Sequence, residues 1–414
     1  MLLAIVLSVP AALLLIPGAV LLFECVAARL TTDPLPPGAA DRASRLAILI
    51  PANDEAGQIG PTVAALAAEL GQGDRLVVVA DNCSDATASV VATVAASLPA
   101  VAITAIERRD PFNVGKGFAI SFGVQHLTAD PPDVVVLVDA DCRVSPGAIA
   151  VLASQAARTG RPVQGEYLLA APPHASPLAR VSAFAFLLRN RVRPRGLMRL
   201  GLPCLLTGSG MAFPWKLLRD GPETRGNLVE DMVLGLELAL GGCPPLLCPQ
   251  AQISSELPPG RQTGLRQRRR WEHGHLHTLV TYVPRLLAAG LARRQLGLFG
   301  LAADLFVPPL ALLVLLQLAV ASAALGLAVF HVPVAVPLIL TVAGLAATSS
   351  AVGVAWWRFA RGTVPARLFL VVPLYLLWKM PLYALLLLKG KQQKWERTAR
   401  PDEDGIGPAP PTPR

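Results

Sequence analysis

From Leu305 to Trp357 the chain runs without an Asp, Glu, Lys or Arg, and this stretch limits the possible folds more than any other feature. A bilayer with about 30 Å of hydrocarbon takes about 20 residues per helical crossing, so the stretch holds two helices. His331-Val332-Pro333 marks the turn between them. Met1 to Phe23 is also uncharged. It lacks a basic leader, and Phe23-Glu24-Cys25 is a poor processing site, so it reads as an uncleaved anchor. A third apolar run, Leu368 to Leu388, carries Lys379 between Pro373 and Pro381. A charge at mid-bilayer is costly unless it faces protein, water or an interface. That run therefore fits a span, a re-entrant piece or an interfacial helix. A mean hydropathy of +0.50 and 53% hydrophobic residues exclude an ordinary soluble protein.

The net charge of +9 gathers at the edges of these runs. The clusters are Arg266 with Arg268, Arg269 and Arg270, then Arg293 and Arg294, then Arg358, Arg361 and Arg367, then Lys389, Lys391 and Lys394. Basic clusters favour the cytoplasmic leaflet, which places the aqueous region between Arg29 and Arg294 in the cytoplasm of the inner (plasma) membrane, with Met1 outside. Three complete C-terminal spans would put the tail from Lys389 to Arg400 outside, against the same rule. A non-spanning third segment removes the conflict. No aromatic and basic binding motif accompanies the charge, so membrane lipids are the expected partner and nucleic acid is not. The six cysteines form no Cys-x-x-Cys pair, as expected of reduced cytosolic thiols.

The chain divides into an anchor (1–30), a linker (31–44) built on Asp33-Pro34-Leu35-Pro36-Pro37-Gly38, and an aqueous domain (45–260). A basic, helical segment (261–300), the C-terminal membrane region (301–390) and a tail (391–414) that is basic and then disordered follow. Within the domain, Leu46 to Ile50, Leu76 to Val79, Val101 to Ile106 and Val134 to Val138 are short aliphatic runs. They alternate with helix-like segments such as Thr62 to Leu70 and Ala86 to Ala96. That alternation predicts an α/β domain with a mostly parallel sheet covered on both faces. The stretch 174–200 mixes Phe184, Phe186, Leu187 and Leu188 with Arg180, Arg189, Arg191, Arg193, Arg195 and Arg199. It reads as an amphipathic helix on the membrane surface.

Ligands of such sheets bind beyond the carboxyl ends of the strands. Pro51-Ala52-Asn53-Asp54-Glu55, Asp81-Asn82-Cys83-Ser84-Asp85 and Asp139-Ala140-Asp141 all fall on that rim. Asp139 and Asp141 follow a strand on alternate residues, so their oxygens reach one side, the arrangement that presents a hard divalent cation to a nucleotide diphosphate. Asp81 and Asp231 complete a set suited to nucleotide-sugar chemistry. Lys116 lies between Gly115 and Gly117, yet the spacing and the missing Ser or Thr exclude a Walker P-loop. His273, His275 and His277 suggest a metal cluster, but on a helix only His273 and His277 share a face, which favours a polar face near the membrane. Asp85 and Glu107 read as a helix cap and an exposed strand end.

Pro51-Ala-Asn-Asp-Glu55, Asp81, Asn113-Val-Gly-Lys-Gly117, Asp139-Ala-Asp141, Glu230-Asp231 and Gln267-Arg-Arg-Arg-Trp271 occur in this order. The set resembles the membrane-bound family 2 glycosyltransferases, the group of cellulose, chitin, hyaluronan and poly-N-acetylglucosamine synthases. The resemblance spans roughly Leu46 to Trp271 and implies a nucleotide-diphospho-sugar transferase fold of the GT-A type. It implies that Glu55, Asp81 and Lys116 hold uridine and ribose, that Asp139 lies near ribose and diphosphate, and that Asp141 binds the metal with Asp139. Asp231 matches the general base, while Gln267, Arg270 and Trp271 match the motif that closes over diphosphate and acceptor. Mg²⁺ or Mn²⁺ is the implied cofactor and a UDP-sugar the implied donor. The implied product is a growing extracellular polysaccharide, fed to the protein's own helices or to export partners. A lipid-linked acceptor receiving one sugar is the alternative, and an inactive scaffold or transporter the alternative from another class. Thr207-Gly-Ser-Gly-Met211 stands where several synthases carry a Cys-containing acceptor motif. Trp395 and Thr398 in the basic tail loosely resemble a Trp-Gly-Thr-Arg segment of hyaluronan and chitin synthases.

Overall fold

Aliphatic runs too short to cross a membrane form one half of an eight-stranded sheet. In the computed structural model, residues 2–30, 44–172, 174–222, 229–257 and 261–389 are described, without the side chains of 261–266 and 384–389. The expected linker, apart from its last residue, and the tail with Trp395 and Thr398 lie outside the described residues.

Strands β1 (Leu46–Ala52), β2 (Arg75–Asp81), β3 (Ala102–Arg108), β4 (Val134–Leu137), β5 (Arg143–Val144), β6 (Val163–Ala170), β7 (Met211–Pro214) and β8 (Leu246–Glu256) take the order β3-β2-β1-β4-β7-β6-β8-β5. The first four in that order are mutually parallel. β7 runs antiparallel to both β4 and β6, β6 and β8 are parallel, and β5 is antiparallel to β8. The sheet is therefore mixed, with its parallel half built from the strands that the apolar runs predicted.

Alternation along β1 divides the core between two faces. Leu46, Ile48 and Ile50 join one buried cluster with Val63, Leu66 and Leu152, and Ala47 and Leu49 join a second with Val135, Leu137 and Phe213. Side chains buried on both sides favour Val, Ile and Leu over an alternating pattern. Each fully buried aliphatic side chain contributes about 1.5–3 kcal/mol.

Four helices are long and apolar enough to cross a membrane: Leu2–Arg29, Leu310–Val329, Ala335–Ala360 and Ala366–Tyr383. The first three are joined by small and polar residues. A Cβ on Gly18 would stand 3.0 Å from the Gly344 carbonyl. Gln317 Nε2 donates to the Leu14 carbonyl at 3.2 Å and to Thr348 Oγ1 at 3.3 Å. Close backbone approach and buried hydrogen bonds replace the hydrophobic effect, which drives little between helices already in lipid.

The amphipathic stretch forms the helix Pro177–Leu187, a π-helical turn Leu188–Val192 and the helix Arg193–Arg199. Its arginines do not make the expected lipid-facing basic surface throughout. Arg193 pairs with Glu24 of the first membrane helix at 2.7 Å and with Asp304 at 2.5 Å. Arg191 pairs with the fully buried Glu166 at 2.7 Å, and Arg195 pairs with the same carboxylate. Gly196 sits so close to Glu24 that an added Cβ would stand 2.1 Å from its carbonyl oxygen. The stretch is thus a hinge plate between sheet and membrane helices. Buried acids far away in sequence recruit its charges.

The described side chains of the last apolar segment, Ala366–Lys389, pack on the amphipathic stretch, on Trp356 and on the start of the helix Leu310–Val329. Phe369 packs edge-on against Phe184 and Trp356, at 6.2 and 5.6 Å between ring centres. Tyr375, Leu376, Leu382 and Tyr383 cluster with Ala311, Leu312, Val314 and Leu178. Lys379, 1% exposed, pairs with Glu272. Its charge faces protein. In a background without the six native cysteines, a cysteine at Lys389 is expected to react with an impermeant reagent from the same side as one at Arg294, and from the side opposite to one at His331. Reaction of Lys389 and His331 positions from one common side would mean that the segment crosses.

Candidate active site

The chain reverses direction just beyond the carboxyl ends of β1, β2 and β4, and polar side chains collect at each reversal. Asp54 and Asn82 follow β1 and β2 with φ of 52°, a left-handed conformation that Asn and Asp tolerate best among residues with a Cβ. Asn53 Nδ2 donates to the Asp81 carbonyl at 2.7 Å, and Asn82 Oδ1 accepts from the Asp110 amide at 2.8 Å. These bonds hold the rim rigid. Glu55 is placed by its own amide, which donates to Thr87 Oγ1 at 2.8 Å.

Lys116 opens the helix Lys116–Leu127, while Glu230 and Asp231 occupy the first turn of the helix Glu230–Leu240. Two carboxylates at a helix N-terminus are favoured by its unpaired amides and dipole. Gln267, Arg270 and Trp271 lie on the helix Arg261–Arg293, at spacings of three and four that put them on one face. Glu55, Asp81, Lys116, Asp139, Asp141, Asp231, Gln267, Arg270 and Trp271 all line a single cleft of about 430 Å³. Residues more than two hundred positions apart thus converge on one rim.

Charges within the cleft are balanced by neighbours. Asp81 Oδ1 accepts from Arg108 Nη1 at 2.6 Å and Asn82 Nδ2 at 3.1 Å. Burial nonetheless outweighs these bonds and raises its pKa above the usual carboxylate value. Lys116 pairs with Asp139 and donates to the Gly208 carbonyl at 2.6 Å. Burial disfavours its charge, but Asp139, Glu230 and Asp231 together overcome that and hold its pKa above the ordinary lysine value. Glu230 and Asp231 are both raised, chiefly by loss of water, with Lys116 opposing the rise. An ionised carboxylate deprived of water is a stronger proton acceptor than one in solution.

Several further residues line the cleft, and of these Tyr167 and Asn190 were not singled out from sequence. Tyr167, Phe186 and Trp271 form an aromatic wall, with ring centres 5.5 and 5.7 Å apart in succession, and Tyr167 shares a hydrogen bond with Ser255 at 2.9 Å. Arg189 and Asn190 come from the π-helical turn. Gly208, with φ of 101°, leaves room for Asp231: an added Cβ would stand 3.1 Å from its Oδ2. The Thr207-Gly-Ser-Gly-Met211 segment was noted only for its departure from the synthases, and its glycine supplies this room.

The histidines divide: His277 is exposed, whereas the other two are buried. His273 and His275 are 5% and 3% exposed, and His275 Nε2 bonds the Val307 carbonyl at 3.1 Å. Among the described residues one group of possible ligand atoms converges within 4.8 Å, on Asp54, Cys83 and Asp85. Its carboxylates accept from the amides of Ser84, Ala56 and Thr87 at 2.6–2.9 Å, so it locks the turn and caps the helix Thr87–Ser97. Glu107 is exposed and pairs with Arg109, as its place at a strand end suggested.

Residues 43–274 match the family model described as glycosyltransferase like family 2. The chain belongs to this family. No match was found among curated proteins. A mannosyltransferase from Pyrobaculum calidifontis, solved with GDP-Man and Mn²⁺, superposes with a TM-score of 0.55 at 18% identity, covering 93% of this chain and 100% of that one. Glucosyl-3-phosphoglycerate synthase from Mycobacterium tuberculosis, solved with Mn²⁺, UDP-glucose and phosphoglyceric acid, gives 0.38 at 20% identity over 56% of this chain and 79% of its own. The first likeness confirms a GT-A-like fold carried together with membrane helices.

Gly208→Ala is expected to add backbone strain of about 1–3 kcal/mol and to displace Asp231. Sugar transfer should fall by at least about tenfold. Gly326→Ala, where an added Cβ meets nothing within 4 Å, is the control and should leave transfer unchanged. Equal activity of the two variants would remove Gly208 from the site.

Proposed function

We propose that this glycosyltransferase moves a sugar, with inversion, from a nucleotide-diphosphate donor to a hydroxyl of a membrane-presented acceptor, on the cytoplasmic face of the plasma membrane. The observation that carries this reading is the meeting of four aspartates, Lys116, Arg270 and Trp271 in one cleft beside the membrane helices. The sequence resemblance makes uridine the expected base of the donor.

Asp141 and Asp139 are the residues that would hold a divalent cation, Mg²⁺ or Mn²⁺. They fit the task, because both offer hard oxygen donors into a cleft with space for phosphate oxygens to complete the shell. Asp139 also pairs with Lys116. When bound, such an ion neutralises charge on the leaving diphosphate.

The remaining roles fall to the protein's own groups. Arg270 stabilises the diphosphate as its bond to the sugar breaks. Asp231 takes the proton of the attacking hydroxyl, and its raised proton affinity suits a general base. Glu55, Asp81 and Gln267 position the nucleotide, and Trp271 forms a wall for the acceptor.

For the acceptor, the sequence reading put a growing extracellular polysaccharide first and a lipid carrier second. A second cavity, of about 530 Å³, adjoins the cleft and is lined largely by apolar side chains of the membrane helices. An apolar wall suits hydrocarbon better than a hydrated polymer, which favours the lipid-linked acceptor.

Asp231→Asn is expected to lower transfer by about a hundredfold to ten-thousandfold while UDP binding, followed by calorimetry, persists. Loss of UDP affinity together with turnover would assign Asp231 to the donor. Asp141→Asn should raise the Mn²⁺ concentration needed for half-maximal transfer, and an unchanged requirement would exclude it as a ligand.

A further inference from the structure

The cleft and the membrane cavity share part of their walls. Leu169, Phe186, Arg189 and Trp271 line both. Away from this boundary the cavity is bounded by Val181, Phe184, Leu310, Val352, Leu368 and Leu376, contributed by the amphipathic stretch and the membrane helices.

The cations around the cavity are almost all occupied by protein. Arg193 is held by Glu24 and Asp304, and Lys379 by Glu272. Arg268 stacks over Trp378 with its guanidinium carbon 5.4 Å from the ring centre. Arg189 differs. Among the described residues it has no hydrogen-bond or ion-pair partner, although it is partly buried at the boundary of the two spaces. Burial and repulsion by Arg193 lower its proton affinity, with Asp231, Asp304 and Glu272 opposing them through longer-range attraction. A half-buried guanidinium with no protein partner can take an anion, and phosphate is the group whose geometry it matches best.

We propose that the acceptor is a phosphate-bearing lipid with a free hydroxyl, its hydrocarbon chain seated in the membrane cavity and its phosphate bound by Arg189. This rests on the transferase reading of the cleft. The placement turns the acceptor hydroxyl toward Asp231, which lies on the cleft side of the same boundary. In the transfer, the hydroxyl oxygen bonds to the anomeric carbon as the carbon–oxygen bond to the nucleoside diphosphate breaks. The bonding pair leaves on the diphosphate, and the hydroxyl proton passes to Asp231. Arg189 takes no part in the bond changes. It is a positioning residue that selects an anionic acceptor over a neutral one of the same chain.

The test uses the purified full chain in phosphatidylcholine vesicles supplemented with total lipid from its own cells, given Mn²⁺ and radiolabelled UDP- and GDP-hexoses. The expected label extracts into organic solvent and is retained on an anion-exchange resin. Label in a neutral lipid would overturn the role of phosphate, and label in a water-soluble polymer would overturn the seated chain. Absence of transfer to every fraction would instead contradict the transferase reading itself.

With the labelled lipid in hand, Arg189→Gln should raise the acceptor KM by about tenfold to a hundredfold, with the calorimetric affinity for UDP unchanged and partial recovery in Arg189→Lys. A fall in UDP affinity would give Arg189 to the donor diphosphate and overturn the proposal. Gly353 borders the cavity, and an added Cβ there meets nothing within 4 Å. Gly353→Phe should therefore raise the acceptor KM as well, by filling the space a chain would occupy. Unchanged acceptor KM in that variant would exclude the cavity as its seat.

Discussion

The pairing of Arg193 with Glu24 and Asp304 holds the catalytic domain to the membrane, and the geometry of the active cleft depends on it. Arg193 is 5% exposed and its two acids are 2% and 5% exposed, so none of the three charges is solvated by bulk water. Such a group adds little net stability over apolar packing, but removing one member leaves an uncompensated charge at a cost of about 3–5 kcal/mol. It therefore acts as a specificity device. It sets where the first membrane helix, the amphipathic stretch and the helix Leu296–Phe306 meet. Glu166, fully buried on β6, extends the same logic by gathering Arg191 and Arg195. Together these pairs fix the π-helical turn from which Arg189 and Asn190 reach the cleft.

The rest of the site follows from how the sheet ends. Parallel strands deliver Asp81 and the Asp139-Ala-Asp141 pair to one rim, and two helix starts bring Lys116 and Asp231 toward them. Lys116 then balances Asp139 directly and Asp231 through space, so several carboxylates share a half-buried cleft without an isolated charge. On the membrane side the helix carrying Gln267, Arg270 and Trp271 is held by the pairing of Glu272 with Lys379. That contact makes the last apolar segment part of the active-site frame. It also explains why a lysine is tolerated there.

Much of this was legible in the residues because the governing signals are local. A strand buried on both faces is written as Val134-Val-Val-Leu, and a cleft on its end as Asp139-Ala-Asp141. The strands β6 and β8 were not legible, since Gln164 and Glu166 interrupt the apolar pattern of the first and Gln252 that of the second. The two in β6 have long-range partners: Gln164 Oε1 accepts from the Thr207 amide at 2.8 Å, and Glu166 collects two arginines. The same cause explains the amphipathic stretch. Its arginines read as a surface because the acids that bury them, Glu24, Glu166 and Asp304, lie 25 or more residues away. Arg189 was visible only as one of a basic series, and its lack of a partner is a property of three-dimensional packing alone.

The rim of carboxylates and the membrane cavity share the wall formed by Leu169, Phe186, Arg189 and Trp271, which makes them one continuous site. A structure in lipid nanodiscs with Mn²⁺ and UDP is the decisive measurement. UDP is expected in the cleft beside Asp81 and Lys116, the ion at Asp141 against the diphosphate, and elongated lipid density in the cavity that ends at Arg189. UDP bound elsewhere, or a nucleotide-filled cleft sealed from a cavity closed by its own side chains, would contradict a continuous site.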